Sequence, residues 1–459
     1  MAEGVDQITL KLDDLLAEKN QDQADSEKPA PAPVEKEENE DNTENLIQST
    51  HVVQVKLADQ QADPNSPLFS VKSFDDLGLD ANLLKGIYTM KFSKPSKIQE
   101  RALPLLLQNP PRNMIGQSQS GTGKTAAFVL TMLSRVKPEI KAPQSICLAP
   151  SRELARQIMD VVEQMSKFTD ITKQLVVRDS VRRGAAIDGQ VIVGTPGSVM
   201  DAIKRRVLPT RNITLYVLDE ADNMLDQDGL GDQSIRIQSM LPRDIQTVLF
   251  SATFPDHVRK FAERFAKNAN EISLRREELS VDSIKQFYVD CDSVEHKYDV
   301  LCNIYDLLTV SQSIIFCKLR TTADEISRRM TEQGHAVVAL HGKMTPDERD
   351  KVMDDFRRGE FKVLITTNVI ARGIDISQVS LVVNYDLPED RSGYPDFEAY
   401  LHRIGRTGRF GRTGVSINFV HNKETWEKMV MIEEHFKRPI ELIPTDDWEE
   451  VEKRLKRVL

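Results

Sequence analysis

The sequence contains few cysteines and no pair of them spaced for metal or redox chemistry. Its four cysteines are Cys147, Cys291, Cys302 and Cys317, with no CxxC pair among them. Three of them lie in or near apolar, strand-like runs. We therefore expect buried, reduced thiols in a reducing compartment, and neither a disulfide framework nor a zinc site.

Long hydrophobic runs are also missing from the chain. No apolar run approaches the roughly 18 residues that are needed to cross a bilayer. The N-terminal residues MAEGVDQITL have neither the basic region nor the apolar region of a secretory signal. We therefore expect a soluble, intracellular protein without membrane insertion.

The body of the chain has no excess of charge of either sign. The formal net charge of the 459 residues is −10, and residues 1–72 account for all of it, with 16 Asp/Glu against 6 Lys/Arg. Residues 73–459 carry 55 acidic and 55 basic residues. A neutral body argues against coating nucleic acid by bulk electrostatics, but it is compatible with gripping a few phosphates at defined points.

The first 72 residues are predicted to form an acidic, mostly disordered extension. The stretch 20–45 is rich in Glu, Asp, Pro and Ala and has almost no large apolar residues. Burial there cannot offset the entropy of ordering the chain. Residues 8–16 have the spacing of a short amphipathic docking helix, and the mildly apolar piece 46–58 is expected to fold back onto the body.

From residue 73 onward, short β-branched runs alternate with helix-length stretches. This rhythm occurs twice and predicts an α/β fold with parallel sheets covered by helices on both faces. We place two tandem domains at 73–276 and 285–459, joined by a linker at 277–284 that has no apolar periodicity. Two such domains define a cleft, and parallel sheets bind ligands at the carboxyl ends of their strands.

A glycine-rich segment, SQSGTGKT at 118–125, follows a strand and opens a helix, as a P-loop does. Its glycines allow backbone N–H groups to converge on phosphate oxygens. Lys124 is expected to reach the β- and γ-phosphates, and Thr125 to ligate Mg²⁺. Ser118 replaces the first glycine of the usual pattern, and a turn that only caps a helix is the alternative. The residues expected to bind ATP here are Ser120, Gly121, Thr122, Gly123, Lys124 and Thr125.

An acidic motif, DEAD at 219–222, ends the apolar strand LYVL. Asp219 is expected to lie beside the P-loop and to hold Mg²⁺ through water. Glu220 is expected to orient or deprotonate the water that attacks the γ-phosphate. A plain helix cap is the alternative for this motif alone, but its combination with the P-loop favours a nucleotide site.

These motifs occur in an order that is typical of one family. With SAT at 251–253, the chain resembles the DEAD-box RNA-dependent ATPases over residues 73–440. Five further motifs support the resemblance: KPSKIQ at 94–99, PSRELA at 150–155, VGTPGSVMD at 193–201, ARGID at 371–375 and HRIGRTGR at 402–409. The resemblance implies two RecA-like domains and an RNA helicase that uses Mg²⁺ with ATP and hydrolyses ATP to ADP and phosphate.

The resemblance also assigns residues to the nucleoside. Gln99 is expected to read the N6 donor and N7 acceptor of adenine, so that ATP is the substrate. Phe74, which lies 25 residues upstream, matches the family's aromatic that stacks on the base, and core packing is the alternative. Asp375 is expected to contact the ribose.

The second domain is expected to complete the catalytic site. Arg406 and Arg409 match the family's arginine fingers, with RNA phosphate binding as the alternative, and His402 matches the hydrogen-bond network around the attacking water. Since Lys124 lies in the other domain, hydrolysis requires closure of the cleft. Ser251 and Thr253 are expected to relay that closure, unless they only cap a strand end.

The family grips one RNA strand by its sugar-phosphate backbone, independently of sequence. The matching positions are Arg152, Thr195, Gly197, Asp201 and Thr367, and turn geometry is the alternative for each. Asp201 is expected to accept from a 2′-OH, which favours RNA over DNA. The chain departs from the usual pattern with VRRGAAIDGQ in place of a Gly-Gly motif, and with Ser198, Lys91 and Pro346 in place of Arg, Gly and Gln. These departures reduce the direct RNA contacts that can be carried over.

The departures and the segments 57–79 and 102–128 resemble one subfamily, the mRNA-export ATPases of the cytoplasmic face of the nuclear pore. That resemblance implies an autoinhibitory N-terminal helix, for which 46–64 is the candidate. It also implies a nucleoporin β-propeller and an inositol-hexakisphosphate-bound export mediator as partners. A monomer in the cytoplasm and at the pore, shuttling to the nucleus, is expected, with an additional role in translation termination.

The leading hypothesis is thus an RNA-stimulated ATPase that unwinds RNA locally and remodels mRNA–protein complexes. An ATP-gated RNA clamp that serves as a scaffold is the alternative from another class. A DNA helicase of related design does not explain Gln99 and DEAD together. We also predict that deletion of residues 1–72 raises the basal ATPase rate.

Overall fold

The structure is a computed structural model that describes residues 53–57, 70–117, 122–180, 185–226, 229–274, 284–307, 311–367, 379–408 and 413–456. Contacts divide the chain into Met1–Asn45 and Leu46–Leu459. The first unit, with the disorder predicted at 20–45 and the helix predicted at 8–16, lies outside the described residues. The second unit holds every element named below.

The first sheet has eight strands in the order β1-β8-β2-β7-β6-β3-β5-β4, and all pairings are parallel except that of β1 with β8. The strands are β1 Val53–Lys56, β2 Met114–Gln117, β3 Ser145–Leu148, β4 Lys173–Val176, β5 Val191–Gly194, β6 Leu215–Leu218, β7 Gln246–Ser251 and β8 Asn270–Leu274. A 3₁₀ turn spans Phe74–Leu77. The helices are α1 Ala81–Thr89, α2 Lys97–Leu107, α3 Lys124–Ser134, α4 Arg152–Met165, α5 Pro196–Lys204, α6 Ala221–Asp226, α7 Leu230–Ser239 and α8 Asp256–Phe265. We call these elements the first lobe.

Helices cover both faces of this sheet because alternate strand residues point to opposite sides. In β6, Leu215 and Val217 pack against α1 to α4, whereas Tyr216 and Leu218 pack against α5 to α8. All four residues are buried. The continuous apolar run of β6 therefore belongs to a central strand, and both cores end beside the acidic motif that follows it.

The second sheet has seven parallel strands in the order β11-β12-β10-β13-β14-β9-β15. Its strands are β9 Ile284–Asp290, β10 Gln312–Phe316, β11 Val337–Leu340, β12 Val363–Thr366, β13 Val379–Asn384, β14 Gly414–Val420 and β15 Glu441–Leu442. The helices are α9 Val294–Leu307, α10 Arg320–Glu332, α11 Pro346–Arg357, α12 Phe397–Ile404, α13 Lys423–Phe436 and α14 Trp448–Lys456. These elements form the second lobe, and the same alternation gives it a core on each face: Val363 and Ile365 join one, Leu364 the other.

The fold confirms the predicted pair of parallel α/β sheets with helices on both faces. The four cysteines are buried and free, as expected. Within the part of the chain that the structure describes, no helix is long and apolar enough to cross a membrane. The last residue of the predicted linker, Ile284, begins β9, and 277–283 lie outside the described residues.

The helix predicted over 46–64 is wrong for the segment of that range that the structure describes. Val53–Lys56 is a strand that pairs antiparallel with β8. Lys56 forms an ion pair with Glu271 at 3.1 Å, and Leu57 is buried in the first-lobe core. The physical reason is that β8 would otherwise leave a row of unpaired backbone groups at the sheet edge. The rest of 46–64 lies outside the described residues.

Candidate active site

The P-loop lysine lies at the start of α3, directly after the turn that follows β2. Gly123 caps this helix with a φ of +98°, in the region that glycine adopts without strain. A Cβ atom at Gly123 would lie 2.5 Å from Nε2 of Gln99, so a larger residue would displace that amide and would be strained at this φ. Lys124 is buried, and its ammonium lies 3.8 Å from Oδ1 of Asp219. Ser118, Ser120 and Gly121 lie outside the described residues.

Two buried carboxylates follow the end of β6. Burial raises the pKa of Asp219 to about 6, against the lowering effect of Lys124. Glu220 has a φ of +52° and accepts a hydrogen bond from Nδ2 of Asn223 at 3.3 Å. A non-glycine residue in this region carries about 1–3 kcal/mol of strain, which is typical of functional sites. The turn therefore holds Glu220 apart from the helix that starts at the next residue.

The oxygen donors on α3 and β6 fit a magnesium ion that comes with its nucleotide. A carboxylate that is raised in pKa by burial, as in Asp219, gains stability when a cation approaches it. The hydroxyl of Thr125 belongs to the first turn of α3. Within the described residues no group of three or more His, Cys, Asp or Glu side chains could hold a metal by itself. Mg²⁺ usually keeps waters and substrate phosphates as ligands, so it needs few ligands from the protein itself.

The last residue of the DEAD motif, Asp222, is the junction between the lobes. Its Oδ2 accepts hydrogen bonds from the backbone N–H and the hydroxyl of Thr253, at 3.0 and 2.9 Å. Its own N–H donates to Oγ of Ser251 at 3.1 Å. From the second lobe, Nε2 of His402 lies 3.4 Å from the same Oδ2. The structure thus brings together Ser251, Thr253 and His402, around a residue to which the sequence had assigned no role.

The electrostatics of this junction favour an ionised Asp222. Burial by itself would raise the pKa of Asp222, but the bonds from His402 and Thr253 and the charge of Lys124 outweigh it and hold that pKa well below the usual range. The carboxylate therefore stays charged while it is fully buried. The sequence could have indicated Asp222, because it is the fourth residue of the DEAD motif.

One of the two predicted arginine fingers is described by the structure. Arg406 is buried just after α12, and its Nε donates to the carbonyl of His402 at 2.9 Å. Arg409 and Asp375 lie outside the described residues. His402 and Arg406 are therefore positioned by the same helix end.

Gln99 is tied to the P-loop. Its Oε1 accepts from the N–H of Ser96 at 2.9 Å, and its Nε2 donates to the carbonyl of Gly123 at 2.9 Å. The hydroxyl of Ser96 donates to the carbonyl of Thr122 at 2.7 Å. A carboxamide has two N–H donors and two lone pairs, so one of each remains for a purine base.

The base-stacking role expected for Phe74 is wrong. Phe74 is only 3% exposed and belongs to the apolar core of the first lobe. A ring that stacks on a base needs an open face, so the core-packing alternative holds. Phe92, which sequence reasoning did not consider for this role, is only partly buried against the same core and lies seven residues before Gln99, so it is the remaining aromatic candidate for stacking. The sequence could have indicated Phe92 by its proximity to Gln99.

Arg152, expected at an RNA phosphate, contacts the second lobe. Its Nη2 lies 2.7 Å from Oδ2 of Asp350, and its Nη1 donates to the carbonyl of Arg178 at 2.6 Å. Arg156 also pairs with Asp350, at 2.8 Å. Burial opposes ionisation of Asp350, but bonds from the two arginines keep its pKa below the usual value. The RNA role of Arg152 stays a prediction, because its guanidinium is paired with a carboxylate of the protein in this structure.

The other residues expected to contact RNA lie on or directly before α5 of the first lobe and directly after β12 of the second lobe. Thr195 caps α5 and its hydroxyl lies 3.2 Å from that of Ser198, while Gly197 is exposed in the first turn. Asp201, on the same helix, pairs with Arg205 at 3.0 Å. Thr367 directly follows β12 and is 9% exposed. The structure therefore groups three of these residues on one helix of the first lobe and places the fourth on the second lobe.

Two family models match this chain. A DEAD/DEAH box helicase model matches residues 96–261, and a helicase conserved C-terminal domain model matches residues 296–411. The ATP-dependent RNA helicase dbp5 of Schizosaccharomyces pombe is 64% identical over 443 residues, which cover 96% of this chain and 88% of the relative. The chain belongs to the DEAD-box RNA helicases, in the Dbp5 subfamily. It is an ATP-dependent RNA helicase, and the predicted mRNA-export subfamily is confirmed.

Solved structures agree with this DEAD-box helicase over most of its length. Saccharomyces cerevisiae Dbp5 bound to RNA and ADP BeF3 has a TM-score of 0.82 and 58% identity, covering 85% of this chain and 100% of that chain. A variant of the same yeast protein bound to Nup159, a Gle1 variant, IP6 and ADP has a TM-score of 0.63 and 56% identity, covering 83% and 99%. The RecA-like fold of both lobes is thereby confirmed.

Proposed function

We propose that this helicase couples RNA-stimulated hydrolysis of ATP, with Mg²⁺, to local RNA unwinding and to remodelling of mRNA–protein complexes during mRNA export. The observation that carries the proposal is the junction at Asp222, where the DEAD motif of the first lobe meets His402 of the second at 3.4 Å. Because the catalytic parts are divided between two lobes, RNA that spans both of them favours the closed, active arrangement.

Each side chain has a role that follows from its position. Lys124 binds the β- and γ-phosphates, and Glu220 orients the attacking water. Asp219 and Thr125 hold Mg²⁺, which neutralises phosphate charge when it is bound. Arg406 and Arg409 stabilise the charge that develops on the γ-phosphoryl group, an effect worth about 10³–10⁵ in rate. Gln99 reads adenine, Asp375 contacts the ribose, and the backbone amides of Ser120, Gly121, Thr122 and Gly123 bind phosphate oxygens.

RNA is proposed to lie across both lobes along Arg152, Thr195, Gly197, Asp201 and Thr367. The TM-score for the yeast complex with RNA and ADP BeF3, 0.82, exceeds that for the complex with Nup159, Gle1, IP6 and ADP, 0.63. Both matches cover nearly the same share of this chain, 85% and 83%. The higher TM-score for the complex with RNA supports an arrangement of the lobes that is close to the RNA-bound one. The proposed lobe boundaries of 73–276 and 285–459 are extended by β1, Val53–Lys56, in the first lobe and by Ile284 at the start of the second.

The proposed site of action is the cytoplasmic face of the nuclear pore. The yeast relative has been solved with Nup159, Gle1 and IP6, which supports a nucleoporin and an export mediator carrying inositol hexakisphosphate as partners of this chain. We propose that the monomeric helicase acts in the cytoplasm and at the pore and shuttles to the nucleus. A role in translation termination is proposed on the resemblance alone.

Steady-state ATP hydrolysis with and without RNA tests the enzymatic proposal. Oligo(U) is expected to raise the rate at least about tenfold, whereas oligo(dT) of the same length leaves it near the basal value, because Asp201 accepts from a 2′-OH. Equal stimulation by RNA and DNA, or no stimulation, would contradict the proposal.

A second function, an ATP-gated RNA clamp, is favoured by one observation, the ion pairs of Arg152 and Arg156 with Asp350 across the lobes. The variant Glu220→Gln separates the two functions. It is expected to bind ATP and RNA normally and to hydrolyse ATP at least about 100-fold more slowly. Cells that depend on this variant are expected not to export mRNA. Normal export in such cells would instead establish the clamp.

A further inference from the structure

A chain of hydrogen bonds runs through the buried interior of the second lobe. It begins at Arg403, whose Nη1 donates to Oδ1 of Asn384 at 3.0 Å. Nδ2 of Asn384 donates to Oδ1 of Asn418 at 2.8 Å, and Nδ2 of Asn418 donates to the hydroxyl of Tyr400 at 3.1 Å. That hydroxyl donates to Oε1 of Gln286 at 2.7 Å. The five side chains are all buried, at 6% exposure or less.

All four links run in one donor direction and connect one helix to three adjacent strands. The chain leaves α12 at Arg403, crosses β13 and β14, returns to α12 at Tyr400 and ends on β9. Arg403 also donates to the carbonyl of Asp386 at 2.6 Å and lies over the ring of Phe316. A shift of α12 along the sheet would leave several of these buried polar groups without partners, which adds a desolvation cost to the loss of apolar contact.

The same helix carries the second lobe's catalytic candidates. Tyr400 and Arg403 are three residues apart and share one face of α12, which points to the sheet. His402 lies between them in sequence and points to Asp222 of the first lobe. Arg406 follows at the helix end and donates to the carbonyl of His402. The placement of α12 on its sheet therefore sets the positions of both His402 and Arg406.

We propose that Tyr400, Asn418 and Asn384 are positioning residues for ATP hydrolysis. They hold α12 in one register on the second sheet, so that His402 meets Asp222 and Arg406 reaches the γ-phosphate across the cleft. This inference rests on the proposed role of Arg406. None of the three residues is among those proposed above to bind ATP or RNA.

The variant Tyr400→Phe tests the proposal, because it removes one hydroxyl and keeps the ring. RNA-stimulated kcat is expected to fall about tenfold or more, while KM for ATP and the affinity for oligo(U) change less than about twofold. Tyr305→Phe is the matched control. Its hydroxyl is also buried in the second lobe and donates to Ser313 at 2.6 Å, but it belongs to a different apolar cluster, away from α12. The control is expected to lose similar thermal stability and to keep its kcat.

Arg406→Ala, measured in parallel, separates this inference from the proposed function. If Arg406→Ala lowers kcat and Tyr400→Phe does not, the positioning role is overturned and the arginine finger stands. If Arg406→Ala keeps the normal kcat, the finger fails and the positioning role fails with it. A double variant no slower than Arg406→Ala supports the proposal, because both changes then act through one group.

Equal losses of kcat in Tyr400→Phe and Tyr305→Phe would overturn the proposed positioning role, since a general loss of stability in the second lobe would explain both. Gln286→Met serves if Tyr400→Phe does not fold. It removes only the terminal acceptor of the chain, and it is expected to lower kcat in the same direction with KM for ATP retained. An unchanged kcat in a folded Gln286→Met protein would then overturn the proposal.

Discussion

At the scale of single residues, Asp222 is fully buried, and its partners hold its pKa below the usual range. It sits within 3.4 Å of His402 and accepts two hydrogen bonds from Thr253. A buried charge is stable only while its partners are in place. The lobes therefore meet at a residue that responds sharply to the loss of any one partner.

The variant Asp222→Asn is expected to lose stability at neutral pH, by about 3 kcal/mol, because it removes the charge that these partners stabilise. The folded pKa of Asp222 is lowered, so its stabilisation is present above the ordinary pKa of an aspartate and disappears as the pH falls through the folded pKa. The difference in urea midpoint between wild type and variant is thus expected to hold from pH 7 to about pH 4 and to shrink only as the pH falls further. The exposed Asp232→Asn serves as control, and a difference independent of pH would contradict this reading.

Two aromatic residues near the adenine site are expected to respond in opposite ways. Phe74→Ala leaves a cavity in the core and is expected to cost about 3–5 kcal/mol of stability with KM for ATP retained. Phe92→Ala is expected to raise KM for ATP about fivefold, at a smaller stability cost, because the ring is only partly buried and a lost stacking contact is worth about 1 kcal/mol. Thermal unfolding and ATPase titrations check both. A raised KM in Phe74→Ala alone would restore the role first assigned to Phe74.

At the scale of elements, α4 and α11 join the lobes by ion pairs in which each helix supplies both arginines and carboxylates. Arg152 and Arg156 of α4 meet Asp350 of α11, and Arg349 of α11 meets the buried Glu153 of α4 at 2.5 Å. Both helices start at side-chain caps: Ser151 accepts from the N–H of Leu154, and Thr345 forms a capping box with Glu348. The caps fix where each helix begins and therefore which charges face the other lobe.

The variant Asp350→Asn is expected to weaken closure, because it removes the partner of two arginines. A loss of about 1–2 kcal/mol would raise the RNA concentration for half-maximal ATPase activity about fivefold to thirtyfold. Asp347→Asn, an exposed change in the first turn of the same helix, is the control. Tighter RNA binding by Asp350→Asn would show instead that Asp350 competes with RNA for Arg152.

At the scale of the whole molecule, the N-terminal region contributes to the first lobe as well as preceding it. The strand Val53–Lys56 covers the edge of β8, so a deletion that includes it also exposes that edge. The predicted effect of deleting residues 1–72 therefore combines the loss of the acidic extension with the exposure of the β8 edge. Deletion of residues 1–52 keeps the strand and isolates the contribution of the acidic extension.

Deletion of residues 1–52 is expected to raise the basal ATPase rate about fivefold, which corresponds to a coupling free energy of about 1 kcal/mol. The reason is that an acidic, partly apolar extension opposes closure of the lobes. The rate at saturating RNA is expected to change less. ATPase assays of this truncation beside the deletion of 1–72 measure both effects, and an unchanged basal rate would exclude autoinhibition by this segment.

The local pattern of the sequence determined the fold class and most of the nucleotide site. Strand-length apolar runs, the glycine before Lys124 and the carboxylates after β6 each act through neighbours in the chain. Such features are readable because secondary structure and helix caps depend on short-range periodicity.

The tertiary structure decided what depends on distant neighbours. The burial of Phe74, the pairing of Arg152 with Asp350, the junction at Asp222 and the edge strand β1 all require the sheet order and the contact of the lobes. The chain of polar residues behind α12 joins positions as far apart as Gln286 and Asn418. Sequence spacing carries no record of such contacts, because packing in three dimensions selects which of many compatible side chains become partners.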